Sequence, residues 1–233
     1  IKFKQIIISP RNRNKSKKLK KKFKRVLIAK DNQEVVNKSN WVFIGVTPSV
    51  ANKIIPQIKF KNKQTVVSFV STLNIKELKK KIKRNVKIVR AIPMPPISLG
   101  LGPVVMCPPN KSVKNFFNKI GTSIEIKSEE LSKNFWAISG TMAPFYEVLK
   151  VLSDWLVKRK IPREKSQKYV LSLYYALAAL AHSNSHNDLK KFVLNSQTPG
   201  GLNWQGVNQL RKSGYYKSLE NTLNNILKRL NKS

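Results

Sequence analysis

Cysteine is nearly absent from this chain. Cys107 stands alone, which excludes a disulfide framework and a cysteine-based zinc site and fits a reducing cytoplasm. Histidine is almost as scarce. His182 and His186 lie four apart and could share a helix face, but no glutamate or cysteine stands near them, and no metal site is expected. No apolar run is long enough to span a bilayer: the longest, Val170 to Ala181, contains Ser172 and two tyrosines and reads as a buried helix. No signal peptide is visible, so a cytoplasmic protein is expected. Acidic residues are few, with 11 Asp and Glu against 46 Lys and Arg and a formal net charge of +35. That balance raises nucleic acid as a partner. Yet arginine, the better residue for bidentate phosphate and base contacts, supplies only nine of the 46. The lysines run through the whole chain instead of forming one stripe, and with abundant Asn and Ile they read as compositional drift. Neither a membrane nor nucleic acid is expected as a partner.

What is present is patterned. At 233 residues and 41% hydrophobic, the chain can hold a real core and two domains. In the first half, strand-like runs alternate with helix-like ones. The strands are Phe3 to Ser9, Trp41 to Val46, Thr65 to Val70 and Val86 to Ile92; the helices are Lys15 to Phe23, Ser49 to Ile58 and Ile75 to Ile82. Buried apolar strands separated by helices argue for a parallel sheet with helices on both faces. Pro103 to Cys107 and Ser123 to Ile126 add two shorter strands around a helix at Val113 to Ile120, an edge at which antiparallel pairing is expected. After about Ser128 the strand signals vanish and six helical segments follow, from Leu131 to Leu230. The predicted architecture is an α/β domain over 1–127 and an all-helical domain over 128–233. Helices as apolar as Tyr169 to Ala181 bury more surface than about 100 residues can cover, so a homodimer or larger homo-oligomer is expected.

Among the helical segments, Thr198-Pro199-Gly200-Gly201 opens a run, Leu202 to Leu210, with helical apolar spacing. A helix starting there presents free backbone N–H groups and the positive end of its dipole, and Gly200 and Gly201 put no side chain in the way. Such a turn suits a small anion, for example a metabolite carboxylate. The alternative is an ordinary Pro-Gly turn with Thr198 as N-cap.

The order of segments resembles the pyrroline-5-carboxylate reductase superfamily. The anchors are Val46-Thr47-Pro48 after a strand, Ile88-Val89-Arg90 leading into Ile92-Pro93-Met94-Pro95-Pro96, Ser139-Gly140-Thr141, Ile161-Pro162-Arg163-Glu164, and Thr198-Pro199-Gly200-Gly201. The resemblance implies a Rossmann-type nucleotide-binding domain followed by a helical dimerisation domain. It sets Ile1 near the start of the second strand, and no Gly-x-Gly-x-x-Gly occurs in the chain. With Ile instead of Met at position 1, an N-terminally truncated sequence, lacking the first strand, the Gly-rich turn and the first helix, is expected, and these residues alone are expected to be inactive. The rival is loss of the cofactor loop.

By resemblance, Ser9 to Arg13 reads the adenosine ribose. Arg11 and Arg13, with Asn12 between them and no acid nearby, favour the 2′-phosphate of NADP over NAD. Thr47 and Pro48 are implied along the pyrophosphate or ribose, and Ser71 and Met94 on the nicotinamide side. The substrate carboxylate would lie on Thr198, Gly200, Gly201 and Asn203, and Thr141 would hydrogen-bond the ring nitrogen, which makes Thr141 and Asn203 the catalytic candidates. Three positions depart from the family pattern. Met142 replaces a glycine, Leu202-Asn203 replaces a threonine pair, and Ile92-Pro93-Met94-Pro95-Pro96 lacks an amide side chain. The activity so implied is NAD(P)H-dependent reduction of a cyclic imine or related small carboxylate. The alternative is a non-catalytic dimeric module, a divergent paralogue without cofactor binding.

Overall fold

Short β-branched runs, each closed by a turn and a helix, build the first half of the molecule. The computed structural model describes residues 3–186 and 188–232. Ile1, placed by resemblance near a strand start, and Asn187, beside His186, lie outside the described residues. The chain divides into two compact units, 1–135 and 136–233.

In the first unit Ile6–Ile8 (β1) and Val26–Ile28 (β2) pair in parallel as a small separate sheet, linked through the lysine-rich helix α1 (Arg13–Lys22). Asn12 caps α1 by accepting from the Lys15 amide at 3.0 Å, and the Ser16 hydroxyl ties the helix back to the Ser9 and Asn12 carbonyls. Helix α2 (Asn32–Asn37) follows, capped by Asp31. Neither β2 nor α2 stands out in the sequence: three and six residues are too few to show a period.

A five-stranded sheet comes next, in the order β3 (Trp41–Ile44), β4 (Thr65–Ser68), β5 (Lys87–Pro93), β6 (Pro103–Cys107) and β7 (Thr122–Glu125). The first three strands are parallel, with Ile44, Ser68 and Arg90 in one row. The expected antiparallel edge is found: β6 runs against β5, and β7 runs parallel to β6. Helices α3 (Pro48–Ile54), α4 (Ile75–Ile82) and α5 (Lys111–Phe117) connect them.

Side-chain alternation fills both faces of this sheet. Val66 and Ile88 point into one cluster with Ile55, Leu78 and Ile82; Val67, Val89 and Ala91 point into the other with Met106, Val113 and Phe117. Trp41, Phe43, Phe69 and Phe116 extend the second cluster with ring centroids 5.4–6.1 Å apart.

Helix α6 (Glu129–Ser139) carries the chain from the first unit into the second. There α7 (Met142–Val157), α8 (Arg163–Ser183), α9 (Leu189–Asn195), α10 (Leu202–Lys212) and α11 (Tyr215–Lys232) follow. Gly140 turns the corner into α7. A Cβ there would meet Ile226 Cδ1 at 3.0 Å and the Ala137 carbonyl at 3.1 Å, so α11 packs closely against this glycine. Buried Ser153 and Ser166 keep α7 and α8 close, and Asp154 joins them at the surface by accepting from Lys150 at 3.0 Å and Arg163 at 2.9 Å. No described helix is long and apolar enough to cross a membrane.

Candidate functional site

Parallel pairing decides where the first-unit residues gather. Thr47 and Ser71 each lie three residues beyond the row Ile44–Ser68–Arg90, and Met94 follows the last residue of β5, so all three stand at the carboxyl edge of the parallel strands. In open α/β sheets this is the edge at which ligands bind. Thr47 is the residue before α3 and makes no capping bond; its hydroxyl lies 3.4 Å from that of Ser49, and Pro48 opens the helix. Ser71 forms the turn after β4, and Met94 precedes a short 3-10 segment, Pro95–Leu99. Arg11, Asn12 and Arg13 sit at the equivalent end of β1, on the separate two-stranded sheet. Arg11 and Arg13 are exposed, and residues 1–30 contain no Asp or Glu to neutralise them. Asn12 is engaged as the cap of α1 through its side-chain oxygen.

A charged pair behind this edge was not singled out in the sequence. Arg90, only 6% exposed on β5, donates through Nη1 to Glu129 Oε1 at 2.5 Å and through Nη2 to the Ser71 carbonyl at 2.6 Å. Glu129, the first residue of α6, also accepts from the Ile75 amide with both oxygens, at 3.0 and 3.2 Å. An arginine inside the β-branched run Ile88 to Ile92 was the signal that could have revealed the pair, because a buried guanidinium requires a carboxylate and further acceptors. A cavity of about 570 Å³ lies beside it, lined by Lys76, Lys79, Lys80, Cys107, Lys127 and Glu130 among others, and by none of the site residues expected from sequence. Burial, and then the Glu129 carboxylate, push the Cys107 thiol above its ordinary range while Arg90 opposes them; the buried cysteine is held as a thiol.

In the second unit the Thr198–Asn203 turn forms as a helix entrance. Gly200 has φ +71°, in the left-handed region that favours glycine, and the Gly201 amide donates to the Thr198 carbonyl at 2.9 Å. A Cβ on Gly201 would collide with Thr198 Oγ1. The N-cap is Gly201, not Thr198, and no side chain caps α10. The amides of Leu202, Asn203 and Trp204 are therefore the donors at this helix start, and the Gly201 amide, assigned to an anion from the sequence, is engaged in the turn. Asn203 donates one Nδ2 hydrogen to the Ser196 carbonyl at 2.8 Å. The Thr141 hydroxyl donates to the Ile138 carbonyl at 2.6 Å, at the corner before α7. His182 ends within α8 and His186 lies in the turn after it. No group of three or more His, Cys, Asp or Glu that could hold a metal occurs among the described residues.

Residues 129–233 match the family model for pyrroline-5-carboxylate reductase dimerisation, and residues 3–74 match the model of NADP oxidoreductases dependent on coenzyme F420. A pyrroline-5-carboxylate reductase from Synechocystis is 27% identical over 207 residues, covering 83% of this chain and 75% of that protein. One from Pisum sativum is 24% identical, covering 85% and 75%. Among solved structures, a pyrroline-5-carboxylate reductase from Coxiella burnetii superposes with a TM-score of 0.85 at 19% identity, covering 97% of this chain and 87% of that one. The Plasmodium falciparum pyrroline carboxylate reductase with NADP bound gives 0.73 at 24% identity, covering 88% and 81%.

Proposed function

We propose that the chain, similar over most of its length to pyrroline-5-carboxylate reductases, is an NAD(P)H-dependent reductase of the C=N bond of a small cyclic imine bearing a carboxylate, pyrroline-5-carboxylate above all. The observation that carries this reading is the entrance of α10, which no side chain caps: Gly201 is its N-cap, Gly200 faces open space, and the Thr198 side chain packs beside Gly201. The first amides of the helix and its dipole suit one carboxylate.

The residues of the first unit fit a dinucleotide. Thr47, Ser71 and Met94 share the carboxyl edge, and the acid-free, exposed Arg11 and Arg13 supply cationic donors for a 2′-phosphate, which favours NADP. The cofactor supplies the hydride when bound. The protein's contribution is orientation and charge placement. Thr141, with its hydrogen committed to the Ile138 carbonyl, has an oxygen that can only accept. That suits the N–H of a protonated imine, which takes a hydride without a further general acid. Asn203 keeps one N–H for the carboxylate beside the α10 amides. The apolar face of α8 supports assembly as a homodimer through the second unit, and Cys107 supports the cytoplasm as the compartment.

The test is NADPH consumption by the purified full-length protein against a panel of cyclic imines, with Gly201→Ala beside the parent. A Cβ at 201 displaces the Thr198 side chain, so KM for the carboxylate-bearing imine rises about tenfold while kcat changes little. A protein that binds no NADPH and reduces no imine, yet still dimerises, is the non-catalytic module instead.

A further inference from the structure

The turn between β4 and α4 is gripped at both ends by one buried pair of charges. Arg90 Nη2 holds its first part through the Ser71 carbonyl at 2.6 Å, and the Glu129 carboxylate holds its last part through the Ile75 amide at 3.0 and 3.2 Å. The two gripping groups are bonded to each other. Between them Leu73, 4% exposed, anchors the turn in the core, and the box formed by Asn74 and Glu77 fixes the residues that follow. Glu129 reaches this turn from the first residue of α6, 54 residues beyond Ile75 in the chain.

We infer that Glu129 is a positioning residue for the cofactor's nicotinamide half: through Arg90 and the Ile75 amide it sets the height of the turn that carries Ser71. The inference rests on the reductase reading, since Ser71 serves the cofactor only there. Ser71 offers its backbone carbonyl to Arg90, so the placement of that residue follows the guanidinium, and the guanidinium follows Glu129. A carboxylate at the first amides of α4 also complements the helix dipole, so neutralising it loosens both holds together.

The experiment measures NADPH affinity by calorimetry for the parent, Glu129→Gln, Glu129→Asp and Glu130→Gln, with hydrogen exchange over residues 69–78 and thermal melts of each. Glu130 is adjacent and outside the pair. The expected result for Glu129→Gln is an NADPH Kd raised about tenfold, faster exchange over 69–78, and KM for the imine within about twofold of the parent. Glu129→Asp recovers part of the loss, and Glu130→Gln matches the parent. An unchanged NADPH Kd in folded Glu129→Gln overturns the inference. So does a rise in both KM values in step with a lowered melting temperature, the mark of a purely structural pair. If Glu129→Gln does not fold, the comparison is read from Glu129→Asp, where an unchanged Kd again overturns it. No NADPH binding by the parent removes the reductase reading and this inference with it, whereas parental binding with unaltered variants removes the inference alone.

Discussion

In the first unit Val66, Val67, Leu78, Val104, Met106 and Phe117 are sealed from solvent on both faces of one sheet; in the second, α8 leaves Tyr169, Leu171, Tyr175, Leu177 and Leu180 more than half exposed. The hydrophobic residues buried in the second unit are Ala137, Leu149 and Val170. A Rossmann-type layer covers its strands with its own helices, so its apolar surface is satisfied within one chain. Helices α7 and α8 meet through small serines and show long apolar side chains on the faces they do not share. Exposed apolar side chains in such number on one helix are the mark of an interaction surface. The comparison assigns different work to similar hydrophobic content: the first unit buries its apolar side chains within itself, and the second, which matches a dimerisation model, leaves many of its own exposed.

Breaking each half in turn sharpens that contrast. The largest effect is expected from Leu177→Asp, which sets a carboxylate in the exposed apolar face of α8. It should weaken self-association by about a thousandfold or more, seen as a fall to monomer mass in light scattering, with the first unit's sheet signal retained. Leu78→Ala does the opposite. It opens a cavity under α4 in the first unit and should cost about 3 kcal/mol of stability by denaturant unfolding, while the mass stays that of the assembled protein. The smallest effect belongs to Asp154. Hydrogen bonds from Lys150, and then from Arg163, hold its carboxyl below the ordinary value of 3.8. Its contribution is therefore present above that value and is lost as the pH falls through it toward the depressed folded value. Asp154→Asn should lower the melting temperature slightly at neutral pH and flatten the dependence on pH below about 4, measured by thermal melts across that range.

How far the sequence carries depends on element length. Thr65 to Val70 and Ile75 to Ile82 carry clear patterns, and each forms close to where the pattern places it, as do the long helices of the second half. Val26–Ile28 and Asn32–Asn37 escape because their pairing is decided by Ile6–Ile8 and by caps at Asp31, not by a period. At the site, Thr47, Ser71 and Met94 fall at one edge because each follows a strand; their selection in the sequence comes from the family resemblance. The division of labour inside the Thr198–Asn203 turn is different. Which amide is consumed by the turn and which side chain folds back on Ser196 follows from backbone angles, and residue types do not determine these. Glu129 escapes for the same reason as any long-range partner: nothing local connects it to Arg90.

That separation has a consequence for synthesis. Arg90 leaves the ribosome 39 residues before the carboxylate that neutralises it, and at ordinary elongation rates the interval is about 2–8 s. During it, β5 carries this guanidinium without the Glu129 carboxylate, and closing the layer over it is less favourable than in the finished pair. Nascent chains released at successive lengths, probed by limited proteolysis, should gain protection of the 69–78 segment when Glu129 emerges, and not when β5 or β7 is complete.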